Sequence, residues 1–438
     1  MRKFIAAGPT DLVREQAAYR QEGIPLNPRQ LQTPLPPPAQ NAAPLYDRLT
    51  KLFHDKPLGL PASVEGGLND TRPCPPADIA EARRVLTSRP DVMTLVHQAA
   101  DRPRCVFARD WSTLMLKDTP MPEYQTMRHA VRLLQTESYL LAAQGRYAEA
   151  VAVQKRGFRI AAQAASEPGG LPYLVAVACQ LITVTGLHSI LTLAGPNADV
   201  CRQVRQAAYG PGVPPSLRAA LATEPAMMEP LVQEMHKRQG LGMDGVNAVL
   251  DEISSGKSAH LTPPPVSKGP DNPDSLKDPQ SASAFIDAEQ AEYLAEMRRL
   301  IVVADRPGAE RRAVFASAVT EKHPDDPHSY RRIVTLIFLP SVDKMGENDL
   351  RVRARQAILV TAATALSEKA GTGAYPGRLP QTLTDPFTGK PLLYRREGGG
   401  FVVYSAGPTG RFDGGVPGGK VSGQESLFRY PAVPVSPG

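Results

Sequence analysis

Cysteine is scarce in this 438-residue chain, and its spacing excludes the common structural zinc sites. The four cysteines are Cys74, Cys105, Cys179 and Cys201, with no CxxC pair and no histidine at zinc-finger spacing. Four cysteines allow three disulfide connectivities, and Cys179–Cys201, on consecutive predicted helices, is the first to test. Buried free thiols are the alternative.

A strong excess of one charge sign is also lacking. The 50 basic and 44 acidic residues leave a formal net charge of +6, and no run of Lys and Arg alternates with aromatic residues. Because a nucleic-acid groove needs such a basic patch, we expect no nucleic-acid partner.

The sequence also lacks a clear transmembrane helix or signal peptide. We expect no transmembrane segment in this chain, since a spanning helix needs about 20 consecutive, mainly apolar residues. The start, MRKFIAAGPT, is basic but has too short an apolar run for a signal peptide. Two interpretations stay open: a cytoplasmic protein, or the mature part of a protein that has lost an N-terminal leader or anchor.

The motifs of well-known catalytic sites do not occur. GxSxG, HExxH and GxGxxG are absent. GKS at 256–258 ends like a phosphate-binding loop, but Asp251 stands where that motif needs glycine. SVDK at 341–344 fits SxxK without the KTG or SDN partners of penicillin-recognising enzymes. We therefore expect no catalytic residue and no cofactor.

Proline, by contrast, is abundant and clustered. The chain has 44 prolines, about twice the average usage. Because proline fixes φ and lacks an N–H, we predict a Pro-rich N-terminal arm over 1–44. Residues 254–283 have no hydrophobic periodicity and many prolines, which predicts a flexible linker or mobile loop.

Most of the remaining chain has helical periodicity. Apolar residues at i, i+3, i+4 and i+7 predict a helical body over 45–253 that continues over 284–346. Residues 78–100 read as two short helices broken at Pro90, and the apolar stretch 171–195 as a buried helical pair. We therefore predict a mostly α protein, an irregular bundle of antiparallel helical hairpins.

One hairpin, over 122–165, has the clearest pattern. Its turn is AAQGRYAEA, with Gly145 at the turn, Tyr147 two residues later, and small Ala150 and Gly157 where the second helix should approach the first. This hairpin resembles a single tetratricopeptide repeat. Further copies at a 34-residue period are not evident in the sequence.

After Gly371 the period changes from 3.6 to 2. PLLYRR and FVVYS alternate about a turn at 397–400, which predicts a β-hairpin. Together with a helix over 348–370 it forms a predicted small α+β cap over 347–438. We expect the tail beyond Asp413 to run over the surface, and four hairpin residues to pack on the helix: Tyr394, Phe401, Val403 and Tyr404.

This region resembles the soluble end of type II secretion pseudopilins. AYPGRLPQTL, DPFTGKPLLYRR and FVVYSAGPTGRFDGG follow the long helix in that family's order. The matching residues are Tyr375, Pro376, Leu379, Asp385, Pro386, Gly389, Pro391, Tyr394, Ser405, Gly407 and Gly410. The resemblance implies a loop that can hold calcium. Because Thr409 stands where that loop has aspartate, we expect no calcium, and Asp413 is the remaining carboxylate candidate.

More loosely, most of the chain resembles a group of large bacterial envelope proteins with a helical body and a pseudopilin-like cap. NAAPLY, RPRCVFARDW and the helices over 128–194 carry this resemblance. It implies an extracytoplasmic or periplasmic, membrane-associated location, with other proteins of an envelope assembly as partners.

The one polar cluster that suggests metal chemistry is HPDDPH. It places His323, Asp325, Asp326 and His328 in one short loop, and imidazole with carboxylate suits a divalent transition metal. The alternative is a loop in which Asp326 caps the following helix. In EPAMMEPLVQEMH the three glutamates are five residues apart, a spacing that turns them away from one another on a helix.

Three functional hypotheses follow. The favoured one is a non-catalytic structural or protein-interaction subunit of an extracytoplasmic envelope or secretion-related assembly. The second is a metal-dependent hydrolase that uses the 323–328 loop. The third is a small-ligand carrier with an apolar pocket between helices.

Overall fold

The computed structural model describes a mostly helical protein with one small antiparallel sheet at its C-terminal end, which confirms the predicted fold class. The residues described are 9–55, 75–112, 121–210, 212–241, 248–249, 279–320, 333–379, 383–408, 410 and 427–431.

Twelve α-helices occur in the described residues, besides short 3-10 turns at Pro28–Leu31 and Gln239–Leu241. In chain order they are α1 Pro9–Gln21, α2 Ala43–Asp55, α3 Pro76–Ser88, α4 Pro90–Asp101, α5 Pro122–Ala143, α6 Tyr147–Ala165, α7 Gly170–Ala194, α8 Ala198–Tyr209, α9 Leu217–Arg238, α10 Pro279–Val303, α11 Gly308–Thr320 and α12 Ile333–Thr372. Proline begins α3, α4 and α5, where its missing N–H and fixed φ suit the first helical turn. The predicted break at Pro90 is confirmed.

Helix α7 is the centre of the fold. The predicted helical pair over 171–195 is wrong, because these residues form one uninterrupted helix of 25 residues without a charged side chain. Gly186 allows close packing within this helix, because a Cβ there would lie 2.1 Å from Gln154 Nε2 on α6. The absence of a side chain at this position allows α6 and α7 to approach each other closely.

By length and composition, α7 also meets the criteria for a membrane span. Its most apolar 18-residue window has a mean hydropathy of 1.9, and the expectation of no transmembrane segment stays a prediction. In this structure 72% of that window is buried inside the protein. Core helices pass the same test, and α7 is a core helix here.

Three hydrophobic clusters surround α7, and each includes part of it. Its first turns join a cluster with α1, α9, α10, α11 and the first half of α12. A second face of α7 lies in a cluster with the five helices from α2 through α6. Its C-terminal half joins α6, α8, the second half of α12 and the sheet. Burial on every side accounts for the lack of charge along this helix.

The α5–α6 hairpin forms as predicted, with one difference in its packing. Gly145 has a φ of 76° at the turn, a conformation that glycine adopts without strain. Ala150 lies against α5, where Ser138 Oγ donates to its carbonyl at 3.0 Å. Gly157 does not meet α5: a Cβ there would lie 2.4 Å from Thr183 Oγ1 on α7. The lack of a side chain at Gly157 therefore allows α6 to approach α7.

The predicted arm over 1–44 is not extended throughout. Residues 9–21 form α1, which packs on α10. Tyr19 Oη donates to the Leu294 carbonyl at 2.8 Å, and Arg298 pairs with Glu15 at 3.2 Å. Of the predicted linker, residues up to 278 lie outside the described part, and α10 begins at Pro279.

The last helix, α12, is longer than the predicted 348–370 segment. It runs for 40 residues and crosses the predicted boundary at 347, so the helical body and the cap share it. From here on, the name cap is used for the described residues after this helix, 374–431, and no longer includes the helix itself. The predicted hairpin is confirmed: β1 Leu393–Glu397 pairs with β2 Gly400–Tyr404, antiparallel.

A third strand lies where the sequence predicted a surface tail. β3, Leu427–Tyr430, pairs antiparallel with β2 and gives the order β1-β2-β3. Phe428 is 1% exposed and its ring lies 5.4 Å from His188 of α7. A four-residue strand between Gly- and Pro-rich segments has too little periodicity to be recognised locally.

The two faces of the sheet correct one packing prediction. Phe401 and Val403 belong to the cluster that contains α12, with Tyr394 packed against it. Tyr404 lies on the opposite face with Val402 and Leu427. Because side chains alternate along a strand, Tyr404 cannot share a face with Val403.

The contact at Gly157 generates a test of the α6–α7 packing. We expect Gly157→Ala to lower the free energy of unfolding by about 1–3 kcal/mol, since the added methyl overpacks against Thr183. Thr183→Ala should relieve most of that loss in the double variant. Urea denaturation measures both.

The matched control is Gly371→Ala near the exposed end of α12, where nothing lies within 4 Å of an added Cβ. There the better helix propensity of alanine should raise stability by up to about 1 kcal/mol. Stabilisation by Gly157→Ala as well would contradict the close packing described above.

Candidate binding cleft between the helical body and the cap

A buried ionic network on α12 links three helices beside the cap. Asp349 is fully buried and accepts a hydrogen bond from Tyr173 Oη of α7 at 2.8 Å. Its other oxygen accepts from Arg311 of α11 at 2.6 Å and from Arg353 Nε, one turn along α12, at 2.8 Å. Arg311 also donates to the Ala304 carbonyl at 2.8 Å.

The electrostatics of this network keep its groups in one protonation state. Burial raises the pKa of Tyr173 well above its ordinary value, and the neighbouring Asp349 carboxylate raises it further. Burial lowers the pKa of the Arg353 guanidinium, but Asp349 outweighs this, so the pKa lies above its ordinary value. Tyr173 therefore remains a neutral hydrogen-bond donor and Arg353 remains a cation near neutral pH.

A second carboxylate, Asp385, joins two loops of the cap. It is 2% exposed, and its Oδ1 accepts from the Phe387 N–H and from Ser405 Oγ, both at 2.9 Å. Its Oδ2 accepts from the Ala406 N–H at 2.9 Å. The side chain thus fixes the turn at 385–389 to the loop that follows β2.

The cleft lies between these two networks and has a volume of about 420 Å³. Its walls are the α10–α11 turn, residues 304–308, and the cap turn over 384–389, and the side chains of Arg311, Leu350 and Arg353 lie between them. The two walls are in close contact at Gly308, where there is no room for a side chain, because a Cβ there would lie 1.8 Å from the Pro386 carbonyl oxygen.

The cleft presents two arginine side chains and one aspartate to solvent. Arg306 is exposed, and the side chain of Arg353 is 40% exposed with only its Nε engaged by Asp349. The oxygens of Asp349 and Asp385 already accept from internal donors. Asp349 lies outside the lining, and the second lining carboxylate, Asp305, is 66% exposed and lies 3.9 Å from Arg218. This arrangement can hold a charged group of a partner, and the two buried carboxylates are poorly placed to act as bases.

Another ionic network stabilises the segment after α4. Arg109 pairs with Glu167 at 3.1 Å and with Glu123, and its guanidinium lies 4.9 Å from the ring centre of Phe107. Burial raises the pKa of Glu167, and Arg109 only partly offsets this. Arg109 thus links Glu123 of α5 to Glu167, which follows α6, and none of these three residues lines the cleft beside the cap.

A larger cleft, of about 570 Å³, lies between the end of α2 and the start of α5. Its polar groups include Thr50, which shares a 2.7 Å hydrogen bond with Thr126, and Gln125, which lies 2.9 Å from the His129 ring. Its charged side chains are Lys51 and Asp55. Since these offset each other, the cleft has no net charge that would select a ligand.

The predicted metal-site candidates fall outside the described residues. His323, Asp325, Asp326 and His328 lie in 321–332, and Asp413 lies in 411–426. Within the part of the chain that the structure describes, no group of three or more His, Cys, Asp or Glu side chains could hold a metal ion.

The glutamates of EPAMMEPLVQEMH are dispersed, as their spacing predicted. Glu224 accepts a hydrogen bond from the Gly170 N–H at the start of α7, where it caps the helix. Glu229 accepts from Gln290 at 2.8 Å, and Glu234 pairs with Arg238 at 3.1 Å. Each serves a different contact.

The cysteine pair chosen for testing does not form a disulfide. Cys179 and Cys201 are free and buried, and Cys105 is too. Cys179 belongs to the cluster with α2 to α6, whereas Cys201 belongs to the cluster with α12. Burial raises the pKa of Cys179 to about 12 and that of Cys201 to about 11, so both are inert thiols.

Sequence reasoning missed the residues of the cleft. Tyr173 and Asp349 are 176 positions apart, and Arg311 is 38 from Asp349. The available signal was local: Asp349 and Arg353 are one helical turn apart in a segment that is otherwise rich in buried alanine and valine. Asp385 and Ser405 were both singled out by the pseudopilin resemblance, without their mutual hydrogen bond.

Comparison with known proteins adds no relative to this picture: no family model, curated protein or solved structure matches the chain.

The Asp349 network predicts an ordered set of stability losses. Asp349→Asn leaves Arg311, which is 4% exposed, without its counter-charge, and we expect a loss of about 3–5 kcal/mol. Tyr173→Phe should cost about 1–2 kcal/mol for one hydrogen bond. Arg353→Gln should cost at most about 1 kcal/mol, because its side chain is 40% exposed. Chemical denaturation measures the order, and an Arg353 effect as large as that of Asp349 would contradict it.

Proposed function

We propose that this chain is a non-catalytic interaction or structural subunit of an extracytoplasmic envelope assembly, and that it binds a partner protein at the cleft between body and cap. The observation that carries the proposal is the chemistry of the cleft. It presents the side chains of Arg306 and Arg353 at the surface, while Asp349 and Asp385 each accept three hydrogen bonds from donors within the protein.

Such a site favours binding over proton transfer. A general base needs an accessible lone pair within reach of the substrate, and both carboxylates are at most 2% exposed and hydrogen-bonded within the protein. Arginine, in contrast, keeps its charge at every physiological pH and offers several donors in a fixed plane. The cleft therefore has the means to hold a partner.

The rigidity of the cleft also supports a docking role. One wall is joined to α12 through Arg311 and Asp349, and the other is held by Asp385. Arg312 of α11 additionally donates to the Pro408 carbonyl of the cap. A surface held in place before binding loses little conformational entropy on association, which favours affinity.

The extracytoplasmic location rests on the loose resemblance of most of the chain to bacterial envelope proteins, and more specifically on the pseudopilin-like residues 375–415. The tetratricopeptide-like hairpin α5–α6 supports an interaction role in the same way, by analogy of architecture. Neither resemblance names a partner.

The proposal predicts a specific contact at the cleft in the native host. A photo-reactive phenylalanine analogue in place of Arg306 should give a discrete cross-linked adduct, which mass spectrometry identifies. The same residue at Arg83, exposed on α3, should not. Arg353→Glu should abolish the adduct. Absence of an adduct from both Arg306 and Thr384, on opposite walls of the cleft, would contradict the proposal.

The competing hydrolase hypothesis makes an opposite prediction about metal content. We expect purified protein to contain no stoichiometric zinc or manganese, and chelation to leave its melting temperature unchanged. Metal that is lost on His328→Ala, but kept on His54→Ala, would favour the hydrolase. A melting temperature lowered by chelation and restored by millimolar calcium would instead assign a site to Asp413.

For the carrier hypothesis, native mass spectrometry should show a co-purified small molecule.

A further inference from the structure

Residues 33–38, TPLPPP, form an extended surface segment, called the proline segment below. Proline fixes φ at about −65°, and a residue before proline is restricted to extended backbone. Each residue of the proline segment is therefore restricted by its own ring or by the proline that follows it. Gln32, just before the segment, has a φ of −65° and a ψ of 118°. This backbone is typical of a polyproline II helix, which has three residues per turn.

Burial along the proline segment follows that period of three. Thr33 and Pro36 share one edge of the helix, and they are half-buried and buried. The other two edges are exposed, and they carry Pro34 with Pro37 and Leu35 with Pro38. Leu35 is 58% exposed although its side chain is large and apolar. One edge thus packs on the protein, and two edges face the solvent.

Both ends of the proline segment are fixed to the fold. Before it, Leu31 is 6% exposed and lies in a cluster with Trp111 and two residues of α9. After it, the Gln40 carbonyl accepts from the Arg104 N–H at 3.2 Å, and the Ala42 N–H donates to the Arg104 carbonyl at 2.8 Å. A segment held in one conformation before binding loses little conformational entropy on association.

The backbone chemistry of the proline segment selects the kind of partner. Among residues 34–38 only Leu35 has a backbone N–H, so the segment cannot pair as a strand of a partner's sheet. The carbonyls of residues 33–36 accept from no backbone N–H of the described residues. Pro34 and Pro37 have the PxxP spacing that packs into grooves lined with aromatic side chains. Tyrosine and tryptophan in such a groove also supply donors for the free carbonyls.

Exposed arginines flank the proline segment on both sides. Arg29 lies in the 3-10 turn that precedes it, and Arg104 lies beside Gln40, which follows it. Neither guanidinium pairs with a carboxylate in the part of the chain that the structure describes. Charge complementarity therefore favours acidic residues at the ends of the partner's groove.

We propose that the proline segment is a preformed polyproline II ligand, which docks in a groove of a partner protein lined with aromatic side chains and flanked by acidic ones. The aromatic rings pack on the two exposed edges, with Leu35 and Pro38 on one and Pro34 and Pro37 on the other. None of these residues lines the cleft beside the cap, so this is a second interaction surface.

The test uses the full chain in the native host, with a photo-reactive phenylalanine analogue in place of Gln32, which is exposed beside the proline segment. Irradiation should give a discrete adduct, and mass spectrometry should map it to a partner segment that contains tyrosine or tryptophan. Replacing that aromatic residue of the partner by alanine should remove the adduct.

Peptide competition in an extract of the host tests the conformation that is recognised. A synthetic peptide of residues 32–39 should prevent the adduct. The same peptide with Pro34→Ala and Pro37→Ala should be roughly tenfold less effective, because it loses both the proline rings and the preformed helix.

Matched variants separate docking from a structural role. Leu35→Ser should reduce the adduct several-fold and leave the melting temperature unchanged, whereas Leu31→Ser should lower the melting temperature. Pro44→Ala, at an exposed proline in the first turn of α2, should change neither. The photo-reactive residue at Val13, which is 62% exposed on α1, should give no adduct.

Four outcomes would overturn the inference. They are no adduct from Gln32, an adduct to lipid rather than protein, full adduct yield from Leu35→Ser, and a melting temperature that Leu35→Ser lowers as far as Leu31→Ser does. The last would make Leu35 part of the fold. The cross-link from Arg306 is measured separately, so failure here leaves the proposed function of the cleft in place.

Discussion

Burial of the uncharged helix α7 is the constraint on which the rest of the structure depends. A 25-residue helix without charged side chains must be covered on all sides in water, and no single neighbour can do this. Helices α5 and α6 cover one side, α9 to α11 another, and α8, α12 and the sheet the third. The irregular order of the bundle follows from this need, because elements distant in sequence must converge on one axis.

Two polar contacts at the first turn of α7 join these layers. In the first turn of α7, the Tyr173 hydroxyl donates a hydrogen bond to Asp349 of α12, and the Gly170 N–H donates one to Glu224 of α9. A buried charge that loses its partner is strongly destabilising, so each of these contacts also fixes which helices meet. The cleft is a consequence: it lies where the network around Asp349 reaches the surface beside the cap.

The sequence predicted the elements better than the contacts between them. Periodicity was sufficient for the α5–α6 hairpin, the break at Pro90 and the β1–β2 hairpin, because those signals are local. It failed for α7, which was predicted as a helical pair, and for β3, which is defined by its pairing with β2. The cleft could not be predicted, since Tyr173, Arg311 and Asp349 become neighbours only through tertiary packing.

The cap illustrates how a local motif acquires a tertiary role. Asp385, Pro386 and Gly389 form a tight turn by their own backbone preferences, and Gly389 has a φ of 70° there. Ser405 and Ala406 then bind the Asp385 side chain from a loop 20 residues away. Because Gly308 touches the Pro386 carbonyl, the same turn sets the width of the cleft. A change in the turn would therefore alter the spacing of the arginines, although no residue of the turn needs to touch a bound ligand.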